Sequence, residues 1–410
     1  MRTARSLPGT LVVLAVLLAG ACSDGPVPTP SPAADGQVVE PAPDVPTVRA
    51  NATSLIDDLP SPWGLAALPD GRLLSTSRDE GTVSLLDPGT AGVTAITGEG
   101  ADELASGTDH GGEGGLLGVA VAPTFAEDGT VVVYRTGEAG NEVLRGRLDV
   151  DEARLGALTT VLEGIPKASN HNGGQVSFGP DGFLYVATGD ATTSGAAQDP
   201  GSLAGKILRV GLDGEAAPGN PDGSRVWSLG HRNVQGLGWD ASGRMFASEF
   251  GQSTLDELNV IVPGGNYGWP DREGTLGEAA AADGTAFVDP VATWPTSDAS
   301  PSGLAVAADA VYVAGLRGER LWRVPFADGA VGEGEASPVP DGGASPAPFG
   351  APQALLTGEW GRLRAVVVAP ESAGDTEGGT SLLVLTNETD GRGSPVPGDD
   401  HLLRVDLTTG

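Results

Sequence analysis

Residues 174–190 read GQVSFGPDGFLYVATGD. Two short runs of alternating or β-branched character flank Pro180-Asp181-Gly182. Pro presets φ, Asp folds its carboxylate back onto the chain, and Gly accepts a positive φ, so the stretch predicts a β-hairpin. The same phrase recurs as WGLAALPDGRLLSTS from Trp63, LLGVAVAPTFAEDGTVVVY from Leu116, QGLGWDASGRMFASE from Gln235 and SGLAVAADAVYVAG from Ser302. A sixth copy runs from Leu363, LRAVVVAP continuing to SLLVLTNE. The six starts, counting Gly174, lie 53, 58, 61, 67 and 61 residues apart.

Third runs such as TVSLLD, ILRVGLD and LWRVP give three visible strands per repeat, with an outer fourth expected. Strand-rich units of this size, six times over, predict an all-β, six-bladed β-propeller spanning residues 55–410, in preference to two stacked sandwiches. The 64 Gly and 32 Pro among 410 residues argue independently against a helical bundle. In a closed propeller the innermost strands line a central channel and the inter-blade loops converge on one face, where a ligand is expected.

The N-terminus reads differently. Arg2 and Arg5 precede the apolar LVVLAVLL run from Leu11, and small residues lead to Cys22, the single cysteine. Residues 1–22 are read as a lipoprotein-type signal peptide with lipidation at Cys22, and 23–54 as a Pro/Ala-rich tether. The expected location is extracytoplasmic, held to the outer face of the membrane by the lipid alone. A net charge of −31 repels phosphate backbones and excludes nucleic acid as a partner. Of the 23 cationic residues only Lys167 and Lys206 are lysines, leaving 21 Arg, the side chain suited to fixed recognition of carboxylates.

No nucleophile elbow, HExxH, P-loop or paired-Cys motif is present, so the chemistry must lie in loops. His171, in SNHNGG, precedes the third inner run and is the general-base candidate, with Asp190 at the far end of the same hairpin placed to orient it. Arg232 and Asn233, in GHRN, precede the fourth inner run. Arg317, Arg362 and Arg364 sit beside the last two, and alternation points Arg362 and Arg364 to one side. The stretch from Ser248 to Trp269 mixes carboxylates with Gly loops, oxygen donors of the kind Ca²⁺ prefers.

These residues carry a resemblance. GEGGLLGVAVAPTF, NHNGGQVSFGPDGFLYVATGD, GKILRVGLDG, LGHRNVQGLGWD, SEFG to GGNYGWP, and GRLRAVVVAP, in that order across 55–407, resemble the soluble quinoprotein glucose/sorbosone (aldose sugar) dehydrogenases. The resemblance implies a six-bladed propeller holding pyrroloquinoline quinone (PQQ) and Ca²⁺, which oxidises the C1 hydroxyl of aldose sugars to lactones. Electrons would pass to an external acceptor, a quinone or cytochrome. It implies His171 as base, Asp190 as its orienting partner and Arg232 as the stabiliser of charge on the reduced cofactor. Glu113, His171, Arg232, Asn233, Arg317, Arg362 and Arg364 would contact the cofactor. The carbonyls of Gly251 and Gln252 would bind the catalytic Ca²⁺, and Glu257 and Tyr267 a second ion. Two departures stand out: Glu113 replaces a Gln near the sugar, where a carboxylate is expected to raise the His171 pKa, and Arg317 replaces a Lys. The competing readings are a non-catalytic binding propeller and a metal-dependent lactonase, the latter requiring inner-strand metal ligands that the sequence does not supply.

Overall fold

The computed structural model describes residues 46–275, 284, 286–327, 349–370 and 380–409. They form six antiparallel sheets around one axis, a six-bladed β-propeller. The innermost strands are Pro62–Ala67, Leu116–Val121, Val176–Phe178, Val234–Trp239, Pro301–Val306 and Leu363–Val368, matching the six repeats read from the sequence. Each neighbours the next, and the sixth neighbours the first, so the ring closes.

Every blade has four strands in a row, and Arg154–Leu155 adds a short extra strand to the second. The outer strand of blade six comes from the opposite end of the chain: Val48–Ile56 pairs antiparallel with Leu402–Thr409, Val48 opposite Thr409 and Ser54 opposite Leu403. This corrects the expected tether, which was drawn to residue 54. Val48, Ala50 and Ala52 are half-buried against blade six while Arg49, Asn51 and Thr53 face out, an alternation of small side chains too weak to read as a strand. The segments expected to be a signal peptide ending at Cys22 and a tether, as far as residue 45, lie outside the described residues.

The core lies between blades. Leu85 with Val133 joins blades one and two, Tyr134 with Val186 two and three, and Ile207 with Met245 three and four. Phe246 with Val313, Tyr312 with Val384, and Leu385 with Leu73 complete the circuit. At the turn Pro180-Asp181-Gly182, Asp181 accepts the Phe183 N–H at 3.2 Å and Gly182 takes φ 79°, as the sequence predicts. Arg209 reaches back to Asp181 at 2.7 Å, and Arg72–Asp70, Arg244–Asp240 and Arg323–Asp309 repeat this tie at equivalent turns. A share of the Arg therefore pins hairpins on the face away from the expected ligand.

Near the axis the inner strands approach so closely that side chains must vanish. A Cβ at Gly64 would stand 2.7 Å from the Leu117 carbonyl oxygen, and one at Gly236 2.6 Å from that of Ser302 and 2.8 Å from the Leu304 nitrogen. Gly236→Ala is therefore expected to cost about 1–3 kcal/mol through overpacking. Gly195→Ala, where nothing lies within 4 Å, should stay within about 0.5 kcal/mol. Urea unfolding of the two variants checks the contrast, and equal costs would contradict the packing described.

Candidate active site

His171 sits at the mouth of the channel with φ 60°, a backbone conformation costly for a residue with a Cβ. Its surroundings enforce it. The His171 N–H donates to Glu113 Oε2 at 2.8 Å, and its carbonyl accepts from Ala191 at 3.1 Å. Gly189 passes so close to that carbonyl that a Cβ there could not fit. The following residue, Asn172, is buried and fully engaged: its Oδ1 accepts from Asn141 and Ala168, its Nδ2 donates to Ala168, and its carbonyl accepts the Tyr134 hydroxyl at 2.8 Å.

The imidazole Nδ1 of His171 lies 2.8 Å from Asp190 Oδ1, the pairing expected from the hairpin. Asp190 is buried, and its Oδ2 accepts the Trp269 indole N–H at 2.8 Å while Oδ1 accepts the Thr192 N–H. Burial alone would raise this carboxyl, but the bonds from His171, Trp269 and Thr192 outweigh it and hold the pKa below the usual carboxylate value. An ionised Asp190 fixes Nδ1 as the protonated nitrogen in neutral His171. That leaves Nε2, which has no partner among the described residues, as the basic atom.

Trp269 reaches this point because the chain after Leu255–Ile261 climbs between blades three and four toward the mouth, where Asn266 bridges to Leu229. Gln198 holds the climb by bonding the Trp269 carbonyl at 2.7 Å and the Asn266 amide. The turn carrying Gln198 is held in turn by Lys206, a fully buried ammonium that donates to the carbonyls of Ala196, Ala197 and Ala204. Burial pulls Lys206 down to about 8.

Arg232 lies beside the pair, 5.4 Å from the Trp269 ring, and donates to the carbonyls of Gly251 at 2.7 Å and Phe250 at 3.2 Å. Glu249 accepts both the Arg232 N–H and the His231 ring at Nδ1. Asn233, fully buried, accepts the Gly173 N–H through Oδ1. Arg362 and Arg364 converge on one buried carboxylate, Asp390, at 2.6 and 3.6 Å. Arg364 also donates to Gln235 and Ser302 and lies 5.5 Å from the Trp63 ring. Burial pulls its pKa down and Asp390 opposes the shift. Arg317 is exposed, has no ion-pair or hydrogen-bond partner among the described residues, and shares with Phe250, Arg362 and Arg392 the wall of a cavity of about 450 Å³.

Three buried donors in this cluster lack a partner among the described residues: Arg232 Nε, Asn233 Nδ2 and Arg364 Nε. Buried donors are normally paired, so these fit a ligand rich in anionic acceptors. Hard-cation donors are of two kinds. The Gly251 and Gln252 carbonyls lie in a loop whose N–H groups are capped by Asp256 and Glu273. Deeper in blade four, Glu257 is raised to about 7 by burial and by Glu249, and Asn259 Oδ1 is buried without a partner among the described residues. The Tyr267 hydroxyl is committed to the Val260 carbonyl and the Val262 N–H. Among the described residues no three His, Cys, Asp or Glu side chains converge, so a cation here needs backbone or amide oxygens.

The Glu113 carboxylate has two partners. It meets the main chain of His171 rather than the ring, and its other oxygen binds Arg392 at 2.6 Å. Sequence reasoning missed Arg392, Asp390, Trp269, Lys206 and Gln235. The Arg392 and Asp390 loop follows the last recognised strand run, and nothing local links it to Glu113, 279 residues away.

Known proteins resemble this chain in sequence and in fold. A family model described as glucose/sorbosone dehydrogenase matches residues 59–392. The PQQ-bound aldose sugar dehydrogenase of Streptomyces coelicolor superposes with a TM-score of 0.75 at 46% identity, covering 89% of this chain and 100% of that one. The aldose sugar dehydrogenase of Escherichia coli K12 is 35% identical over 54% of this chain and 62% of its own length. Quinoprotein glucose dehydrogenase B of Acinetobacter calcoaceticus is 28% identical over 62% of this chain and 59% of its own.

The Asp390 clasp makes a pH prediction. Burial would raise this carboxyl, yet the Arg364 and Arg362 charges hold it below 3.8, so the stability it contributes is fully present above 3.8 and is lost as pH falls through the lower folded value. Asp390→Asn leaves two guanidinium groups uncompensated and is expected to cost about 3–5 kcal/mol at pH 7. In urea unfolding across pH, the gap from wild type should narrow as pH falls below 3.8; a gap independent of pH would refute the clasp.

Proposed function

The chain belongs to the glucose/sorbosone dehydrogenase family, and from that premise we propose that it oxidises the C1 hydroxyl of aldose sugars to lactones outside the cytoplasm. PQQ and Ca²⁺ are the proposed cofactors, and an external quinone or cytochrome the proposed electron acceptor. The observation that carries the reading is the set of buried donors on Arg232, Asn233 and Arg364 without a partner among the described residues, with a His–Asp pair and a cavity of about 450 Å³ walled by Arg317, Arg362 and Arg392 in the same loop cluster. A tricarboxylate cofactor offers the acceptors these donors lack.

When bound, PQQ supplies a two-electron acceptor for the hydride leaving C1, with Ca²⁺ as the Lewis acid beside it. The protein does the rest. His171 takes the C1 hydroxyl proton at Nε2 while Asp190 holds the ring and stabilises the imidazolium that results. Arg232, fixed by the Gly251 and Phe250 carbonyls, presents a preorganised positive charge to the oxygen that gains electron density. Arg317, Arg362 and Arg364 would hold carboxylates. The Gly251 and Gln252 carbonyls would hold the catalytic Ca²⁺, and Glu257 with Asn259, in the region of Tyr267, a second ion. Acylation at Cys22 would tether the domain to the membrane.

The test is dye reduction by a panel of aldoses with PQQ and Ca²⁺ present. Turnover should require both additions, and His171→Ala should lower kcat by about 10²- to 10⁴-fold while PQQ absorbance shows the cofactor still bound. Full turnover in the His171→Ala variant, or failure of the wild type to bind PQQ, would sink the proposal.

A further inference from the structure

Arg392 is a mouth cation for which the proposed chemistry has no use. Its base is rigid: the Arg392 N–H donates to Asp390 Oδ1 at 2.8 Å, while the other oxygen of that carboxylate binds Arg362. Its side chain remains half exposed on the wall of the mouth cavity, and Nη1 reaches across from blade six to Glu113 Oε1 at 2.6 Å. Glu113 is much less exposed, and its second oxygen receives the His171 N–H at 2.8 Å. The pair thus runs from the blade-six loop to the backbone of the proposed base. No other hydrogen bond is made by the Arg392 guanidinium among the described residues, so further N–H donors remain for a ligand.

We infer that Arg392 is a specificity-determining residue that, together with Glu113, reads two adjacent hydroxyls of the sugar; the inference rests on the aldose-oxidising function proposed above. A guanidinium can only donate and an ionised carboxylate only accept, whereas a hydroxyl does both. Neighbouring hydroxyls can therefore each accept from Arg392 and donate to Glu113. The pair carries no net charge, which favours a neutral polyol over a uronate or sugar phosphate. The bridge also compensates the Glu113 charge where burial would otherwise penalise it.

The experiment uses the holoenzyme with the best aldose of a panel and its monodeoxy analogues, in wild type, Arg392→Ala and Arg392→Lys, with PQQ absorbance recorded for each. In the wild type, removing a hydroxyl of the recognised pair should lower kcat/KM by about 10- to 100-fold. In Arg392→Ala that penalty should fall to about threefold or less, chiefly through KM, while penalties at other ring positions persist. Arg392→Lys, which keeps the charge without the planar fork, should also lose discrimination, and it serves if the Ala variant does not fold. An unchanged deoxy-sugar pattern, or an equal loss for every sugar, overturns the inference alone. Bound PQQ that no aldose reduces, in wild type as well, overturns the functional reading and this inference with it.

Discussion

Closure of the ring is the constraint on which everything else in this molecule rests. Six inner strands meet near the axis with no room for a Cβ at positions such as Gly64 and Gly236, and the circle is completed by a strand from the N-terminal side pairing with the last strand of the chain. Once the ring is closed, loops separated by hundreds of residues share one mouth. Glu113 meets Arg392, and Arg364 meets Gln235, only because blades two, four and six face a common axis. The hydrophobic core follows the same logic, being divided among the interfaces between blades rather than gathered at the centre.

An acidic chain with few cations has used its arginines in two ways. Arg209, Arg244 and Arg323 tie hairpin turns through aspartates, each paired and stacked on aromatic rings or covered by the chain. Half-buried Arg232 and buried Arg364 stand at the mouth with donors that have no partner among the described residues, and Asp390 faces both Arg362 and Arg364. Such a cluster is costly in the absence of anions, since buried like charges repel and desolvation favours the neutral form. A polyanionic cofactor would offset that cost, which a merely structural network would leave in place.

The hairpin phrase made the six-fold repeat legible, because Pro-Asp-Gly turns and alternating runs are local signals. His171 and Asp190 were legible for the same reason: they end one hairpin. The outer strand Val48–Ile56 was not, since Val48, Ala50 and Ala52 on its inner side give little hydrophobic contrast with Arg49, Asn51 and Thr53. Trp269 and Glu273 reach the mouth on a segment that climbs between blades, and no periodicity announces where such a segment goes. Glu113 is legible as a neighbour of His171, but the atoms it meets are not. Its neighbourhood to His171 in the family pattern says nothing about whether it meets the ring or the backbone, and its partner Arg392 lies far along the chain.

The buried donors of the mouth that have no partner among the described residues are proposed as a site for a polycarboxylate cofactor next to the His171–Asp190 pair. A crystal structure of the protein saturated with PQQ and Ca²⁺ tests it most directly. Cofactor oxygens should lie within hydrogen-bonding distance, about 2.7–3.2 Å, of Arg232 Nε, Asn233 Nδ2 and Arg364 Nε, with the quinone beside His171 Nε2. A cofactor lodged elsewhere, with those three donors still unpaired, would contradict it.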